Sequence, residues 1–274
     1  MIDHSTPKSL MRVINHQGKN FYRFFCYCQI AMLLYLPAYL QAQKSIADSA
    51  VSMAFLQVGY QGMITGNDLT DRFGFSSQLG MDVGYKFRKG LYLSTGLRVF
   101  FTDAVREDKL LNNLIVPGGF LIADNGTLTG IRIFGTGWVV PLSVGKVFSL
   151  NPKHNSNSGF YAEVGGQFFQ HKISLFPTDE KVKAITGDYK KGYDRLTNGI
   201  GIREAVGYRY FANNGFLNFS IGFEFSQNFT QSRRSINFDT GEMDTRKRMD
   251  LLSGFSVGWI FPLYERAPDK VYYF

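Results

Sequence analysis

Cysteine is nearly missing from this chain of 274 residues: there are two, Cys26 and Cys28, and both fall within the first 42 positions. The remaining chain has no thiol for a disulfide, a nucleophile or a soft metal site. Histidine is almost as scarce, with four in all, of which only His154 and His171 lie beyond residue 42. No cluster of Cys, His, Asp and Glu has metal-ligand spacing, and no glycine motif sits between a strand and a helix to hold a phosphate. No cofactor is expected. Proline is rare (8), and there is no solenoid repeat or low-complexity tract. A mean hydropathy of -0.11 excludes a bundle of membrane helices. It leaves room for a membrane β-barrel, whose alternating strands average to a neutral value.

The single long apolar run is Phe24 to Leu40, preceded by Lys8, Arg12, Lys19 and Arg23 and followed by Leu40-Gln41-Ala42-Gln43. A basic region, an apolar region and a small residue at the cut make residues 1–42 a predicted signal peptide, with Met11 as an alternative start. Removing a leader with four bases and one acid lowers the formal charge from +8 to +5. That is too mild to point to nucleic acid.

What is abundant is Phe (26) and Gly (29), and their placement is regular. From Gly215 to Phe229, Leu217, Phe219, Ile221, Phe223, Phe225 and Phe229 alternate with Asn218, Ser220, Gly222, Glu224, Ser226 and Asn228. A strand sends successive side chains to opposite faces, so one face is large and apolar and the other small or polar. Seven further stretches alternate: about 50–62, 75–88, 91–102, 137–148, 159–175, 199–211 and 251–264. The first is the least regular, with Val51, Met53 and Phe55 as its apolar set. Pro141 cannot donate to a ladder and predicts a bend or bulge in the fourth. Glu204 falls on the apolar face of the sixth, where a bulge or an edge position is expected.

Short connections at Lys89-Gly90, Asn151 to Ser158 and Ala212 to Gly215 alternate with long ones at about 63–74, 103–136, 176–198 and 230–250. Short turns on one side and long loops on the other are the habit of bacterial outer-membrane barrels. Tyr85, Phe87, Trp138, Tyr208, Tyr210, Trp259, Phe261 and Tyr264 fall near strand ends, where interfacial girdles belong. The predicted fold is all-β: an eight-stranded antiparallel up-and-down transmembrane β-barrel over residues 43–274, with four long outer loops and a short C-terminal tail. The expected location is the cell outer membrane.

The signal ending in Ala-Gln, the eight alternating segments and the aromatic terminus Val271-Tyr272-Tyr273-Phe274 resemble the small outer-membrane β-barrel proteins of the Bacteroidota, with an OmpA/OmpW-like architecture. The chain departs from that pattern at Glu265 to Lys270, which separates Phe274 from the eighth strand. The resemblance is architectural. It implies membrane and location, and relatives that include secretion-system and barrel-assembly accessory subunits, adhesins and porin-like proteins.

The polar face carries Asp82, Lys86, Arg98, Glu163, Arg203, Arg209 and Glu224, an expected charge network in a lumen just wide enough for side chains to fill. Leu114, Ile115 and Phe120 belong to a second loop too apolar to be freely solvated. Lys190, Lys191, Arg233 and Arg234 sit in the third and fourth loops. These seven are candidate contacts for lipopolysaccharide or a protein partner. His171 and Ser174, three apart, point to opposite faces of a strand and make a poor base–nucleophile pair. The function expected is that of a non-enzymatic structural or accessory subunit of a secretion or assembly complex. A small porin or ion channel is the alternative, and a lipid-modifying enzyme a more distant one.

Overall fold

In a computed structural model, residues 51–107, 109–151, 155–212 and 217–263 are described. The signal peptide, Cys26, Cys28, His154, the Asn213–Gly215 turn, Tyr264 and the C-terminal tail lie outside the described residues. Eight antiparallel strands close into a barrel: β1 (Met53–Asn67), β2 (Ser76–Lys86), β3 (Leu91–Thr102), β7 (Ile131–Asn151), β8 (Asn155–Pro177), β9 (Thr197–Tyr210), β10 (Phe219–Ser232) and β11 (Lys247–Leu263). Each pairs with its neighbour in sequence, and β1 closes on β11 from Ala54↔Leu263 to Asn67↔Asp250. Closure leaves no backbone edge unpaired, which a lipid environment demands. Three short strands, β4 (Ile115–Val116), β5 (Phe120–Ile122) and β6 (Leu128–Thr129), form a separate sheet inside the second loop.

The alternation has the inside-out sense. On β10, Ile221, Phe223 and Phe229 are exposed outward, while Ser220, Glu224, Ser226 and Asn228 are buried in the lumen. The same parity holds on β2, where Leu79, Met81, Val83 and Tyr85 face out and Gln78, Asp82 and Lys86 face in. Aromatic pairs ring the turn end, including Tyr85 with Phe87, Phe160 with Tyr208, and Tyr210 with Phe219, at centroid distances of 5.0–5.7 Å. Trp138 packs on Phe168 at 5.1 Å toward the loop end. Beyond them β7 and β8, 21 and 23 residues long, continue well past the roughly 9–11 residues a membrane span needs.

Four expectations are corrected. Met53 and Phe55 point into the lumen, both 2% exposed, because β1 uses its large residues to close the turn end. The first loop is short: β1 runs to Asn67 and β2 begins at Ser76, the glycines at 59, 62 and 66 having blurred the alternation. Pro141 causes no bulge. The β3–β7 register is the same on both sides of it, Thr95↔Leu142 and Arg98↔Val139, and only the two pairs between are lost. The Thr95 hydroxyl donates to the Pro141 carbonyl at 2.8 Å. Finally, Glu204 is neither bulged nor at an edge: it pairs with Val164 on β8 and Phe225 on β10 in unbroken ladders.

Candidate functional site: a sealed lumen under an interlocked outer cap

The lumen is filled in three layers. At the turn end, Met53, Phe55, Tyr92, Val147, Tyr161, Phe211 and Ile260 form a buried apolar cluster. Phe55 meets Tyr92 edge to face at 6.2 Å. Gly145 makes room for Tyr92, since a Cβ there would stand 2.4 Å from its ring and hydroxyl. Arg209 lies among these rings, its guanidinium 4.4 Å from Tyr92, 5.0 Å from Tyr161 and 5.2 Å from Phe55. The π faces attract the cation electrostatically.

The middle layer is a chain of buried ion pairs from five strands. Arg98 on β3 holds Asp82 on β2 at 2.9 Å and Glu224 on β10 at 2.8 Å. Arg203 on β9 holds the other oxygen of Glu224 at 2.6 Å and pairs with Glu163 on β8. The Ser143 hydroxyl accepts from Arg203 at 3.0 Å, and Tyr92 donates to Glu163 at 2.8 Å, tying this layer to the one below. Three carboxylates and three guanidiniums, with Arg209 as the third, balance to zero. Charges removed from water need such pairing. Lys86, expected in this network, is outside the ion-pair chain. As the last residue of β2 it donates instead to the Val51 carbonyl and to Asn157 Oδ1 at 2.8 Å.

The outer layer combines an apolar cluster with buried polar groups, among them Gln167, which donates to Asn228, and Asn228, which donates to the Asp250 carbonyl. Met63, Phe100, Val139, Phe169 and Leu252 from the barrel join Phe73 of the first loop, Leu110, Leu111 and Leu121 of the second and Val182, Ile185 and Tyr193 of the third. The second loop therefore folds over its own barrel mouth. Leu114 and Ile115, two of the expected contact residues, pack partly buried against this cluster. Sequence reading also missed a buried polar group at this rim. His171 Nε2 stands 3.1 Å from Asp250 Oδ2, which also accepts from Thr230 at 2.6 Å. Ser174, on the opposite face, bonds Thr136 at 2.7 Å, apart from His171.

The four outer loops are cross-braced. Arg72 of the first binds Glu107 of the second at 3.0 Å. The Asp124 side chain in the second accepts from the Lys183 amide in the third, and Thr129 accepts from the amides of Asp179 and Glu180. Arg234 of the fourth clasps Asp194 through both fork nitrogens, and Arg195 holds Asp239 at 2.6 Å. Arg246 returns to Asp68 and closes the ring of loops. Arg234 is thus a brace. Arg233 donates to Asn198 at 2.6 Å, Lys190 lies 4.3 Å over the Phe176 ring, and exposed Lys191 pairs with Asp188 at 2.6 Å.

The cap leaves apolar side chains uncovered on the fourth loop, at Ile236, Phe238 and Met243, and on the small sheet of the second loop. On β5 and β6, Ile122 pairs directly with Leu128, and Phe120 lies two residues from Ile122 on the same face. Ile122, Leu128 and Phe120 are 55%, 60% and 44% exposed, whereas Leu121 and Thr129 are buried. Phe120 is where the sequence placed a contact; Ile122 and Leu128 were not singled out.

An apolar outer belt, a lumen filled with paired charge and long loops at one end define a transmembrane β-barrel of the cell outer membrane. No protein-family model matches the chain, and no curated protein does. Among solved structures it is similar to Neisserial surface protein A, at 12% identity over 76% of this chain and 97% of that one, with a TM-score of 0.37. It is also similar to the attachment invasion locus protein Ail of Yersinia pestis, solved in complex with the heparin analogue sucrose octasulfate, at 11% over 77% and 99%, with a TM-score of 0.38. A major outer membrane protein of Thermus thermophilus matches at 12% over 77% and 99%, with a TM-score of 0.41.

Proposed function

We propose that this chain is a non-enzymatic structural or accessory subunit of an envelope complex, one of secretion or assembly, akin to the small barrels of the Bacteroidota. The observation that carries this reading is the filled lumen. Aromatic rings close the turn end, paired charges fill the middle, and the second and third loops cover the mouth, so transport is disfavoured. Function then falls to the outer surface. There Phe120, Ile122 and Leu128 present an apolar face on a braced and therefore preorganised platform. Such a face, rimmed by polar residues, is the usual mark of a protein contact. Lys172, Lys190 and Arg132, beside the outer edge of the belt, suit the phosphates of lipopolysaccharide.

The test is extraction of native envelopes in mild detergent. A tag inserted at Gly241, exposed at the tip of the fourth loop, serves for capture, and mass spectrometry identifies the proteins retained with it. One or a few proteins in stoichiometric amounts are expected, and Phe120→Asp with Ile122→Asp should release them. A lone barrel would overturn the accessory reading.

A further inference from the structure

Among the described residues the outer belt carries one acid, Glu204, with the polar Gln227 exposed beside it on β10. Glu204 is exposed on the outside of β9. It lies four residues from Ile200 at the outer limit of that strand's apolar run and four from Tyr208 at the inner limit. Its two ladder partners are also central in their own runs: Val164 lies midway between Phe160 and Phe168 on β8, and Phe225 midway between Ile221 and Phe229 on β10. Three adjacent strands thus agree that the carboxyl sits at mid-depth. The ladders are unbroken, so no bulge turns it inward. Among the described residues no hydrogen bond or ion pair reaches it. Every buried carboxylate of the central lumen, by contrast, is paired.

The surface beside it is shallow. On β8 the outward residues between Phe160 and Phe168 are Ala162, Val164 and Gly166, and a Cβ added at Gly166 would meet nothing nearer than 3.8 Å. A side chain from outside can therefore lie along β8 and reach Glu204.

We propose that this face, β8 to β10 around Glu204, is the seat of a second membrane-embedded protein that presents an arginine or lysine at mid-depth. Charge complementarity selects the occupant. An ionised acid in hydrocarbon is stabilised by an opposite charge and a hydrogen bond supplied together. A second copy of this chain does not supply them. Two copies related by a twofold axis here would bring Glu204 toward Glu204. Of the outward bases on these strands, Lys146 pairs with Ala162 nearer the turn end and leans over Phe148, while Lys172 and Arg132 lie beside the outer edge of the belt. Intramembrane ionisable residues are rare and mark functional contacts.

The proposal rests on the accessory-subunit reading and locates a contact of the complex within the bilayer. It is tested in native envelopes with Glu204→Leu, Glu204→Gln and, with Glu204 kept, a photo-crosslinking amino acid at Val164, its exposed ladder partner on β8, with one at Leu97 on β3 as control. Recovery of the intact tagged barrel is checked by its heat-dependent gel mobility. At least tenfold less partner should copurify with Glu204→Leu, and Glu204→Gln should fall between that variant and wild type. Position 164, and not 97, should crosslink to a membrane protein of different mass. Partner recovered equally with wild type and Glu204→Leu would overturn this inference and leave the accessory reading standing. A crosslink to a second copy of this chain would overturn it in favour of a homodimer. Wild-type barrel recovered alone would overturn both.

Discussion

Replacing Glu224 by leucine removes the carboxylate that joins the two halves of the lumen network. Glu224 is 3% exposed and accepts from Arg98 at 2.8 and 3.1 Å and from Arg203 at 2.6 Å. Losing one partner of a buried ion pair destabilises a protein by about 3–5 kcal/mol, because a charge is left uncompensated. Two pairs are broken here, which on simple addition would double the loss. The two guanidiniums, however, keep Asp82 and Glu163 respectively. The layer is left with one excess positive charge, so the expected loss stays near about 3–5 kcal/mol. Urea-induced unfolding of the barrel reconstituted in lipid vesicles measures it, with tryptophan emission from Trp138 and Trp259 as the signal. A loss under about 1 kcal/mol would refute the reasoning, since it would put these groups in the range of solvent-exposed pairs and imply a hydrated lumen.

The same assay should read the opposite sign on the outside: Glu204→Leu in the isolated barrel should be neutral or stabilising, by less than about 2 kcal/mol, since it removes an acid from the lipid face. Gly145→Val should destabilise by about 1–3 kcal/mol through overpacking against Tyr92, and should free the Tyr92–Glu163 hydrogen bond, visible as a shift in tyrosine absorbance. Asp194→Ala unclasps Arg234, and limited trypsin digestion should then cut the fourth loop faster while the barrel strands remain protected. Burial alone would raise the Asp244 carboxyl, but the hydrogen bond and charge of Arg248 hold it below its ordinary value. The brace it provides is therefore complete above the ordinary aspartate range and lost as pH falls through the lowered value. Pepsin cleavage of the fourth loop, measured against Asp244→Asn at each pH, should rise as pH falls below the ordinary aspartate value of about 3.9.

The strands were legible because period-two alternation survives wherever the lipid face is large and the lumen face small. On β3 the expected limits, 91–102, coincide with those observed. Legibility failed where that contrast fades. On β1, glycines at 59, 62 and 66 and the inward Met53 and Phe55 weaken the pattern, and the strand continues further toward the outer end than its alternation suggests. The charged lumen residues were readable from parity alone. Their partners were not, since Arg98 and Glu224 lie 126 positions apart and meet across the barrel. The same limit hid the pairing of His171 with Asp250. In the second loop the run Leu110 to Ile122 announced burial, but not which side chains would be used. Leu111, at a positive φ of 63°, turns the chain back onto the barrel mouth, while the β5–β6 pairing sends Ile122 and Leu128 outward. Glu204 was visible in the sequence as an exception, and closure of the barrel removed both structural explanations for it.

The central claim is that the lumen is closed and the surface does the work. Planar-bilayer recording of the purified barrel tests it most directly. The account predicts no discrete ionic steps above the bare-membrane current, in wild type and in variants of the outer cap alike. Steady single-channel steps from the wild-type barrel, altered by substitution at Arg98 or Arg203, would contradict it.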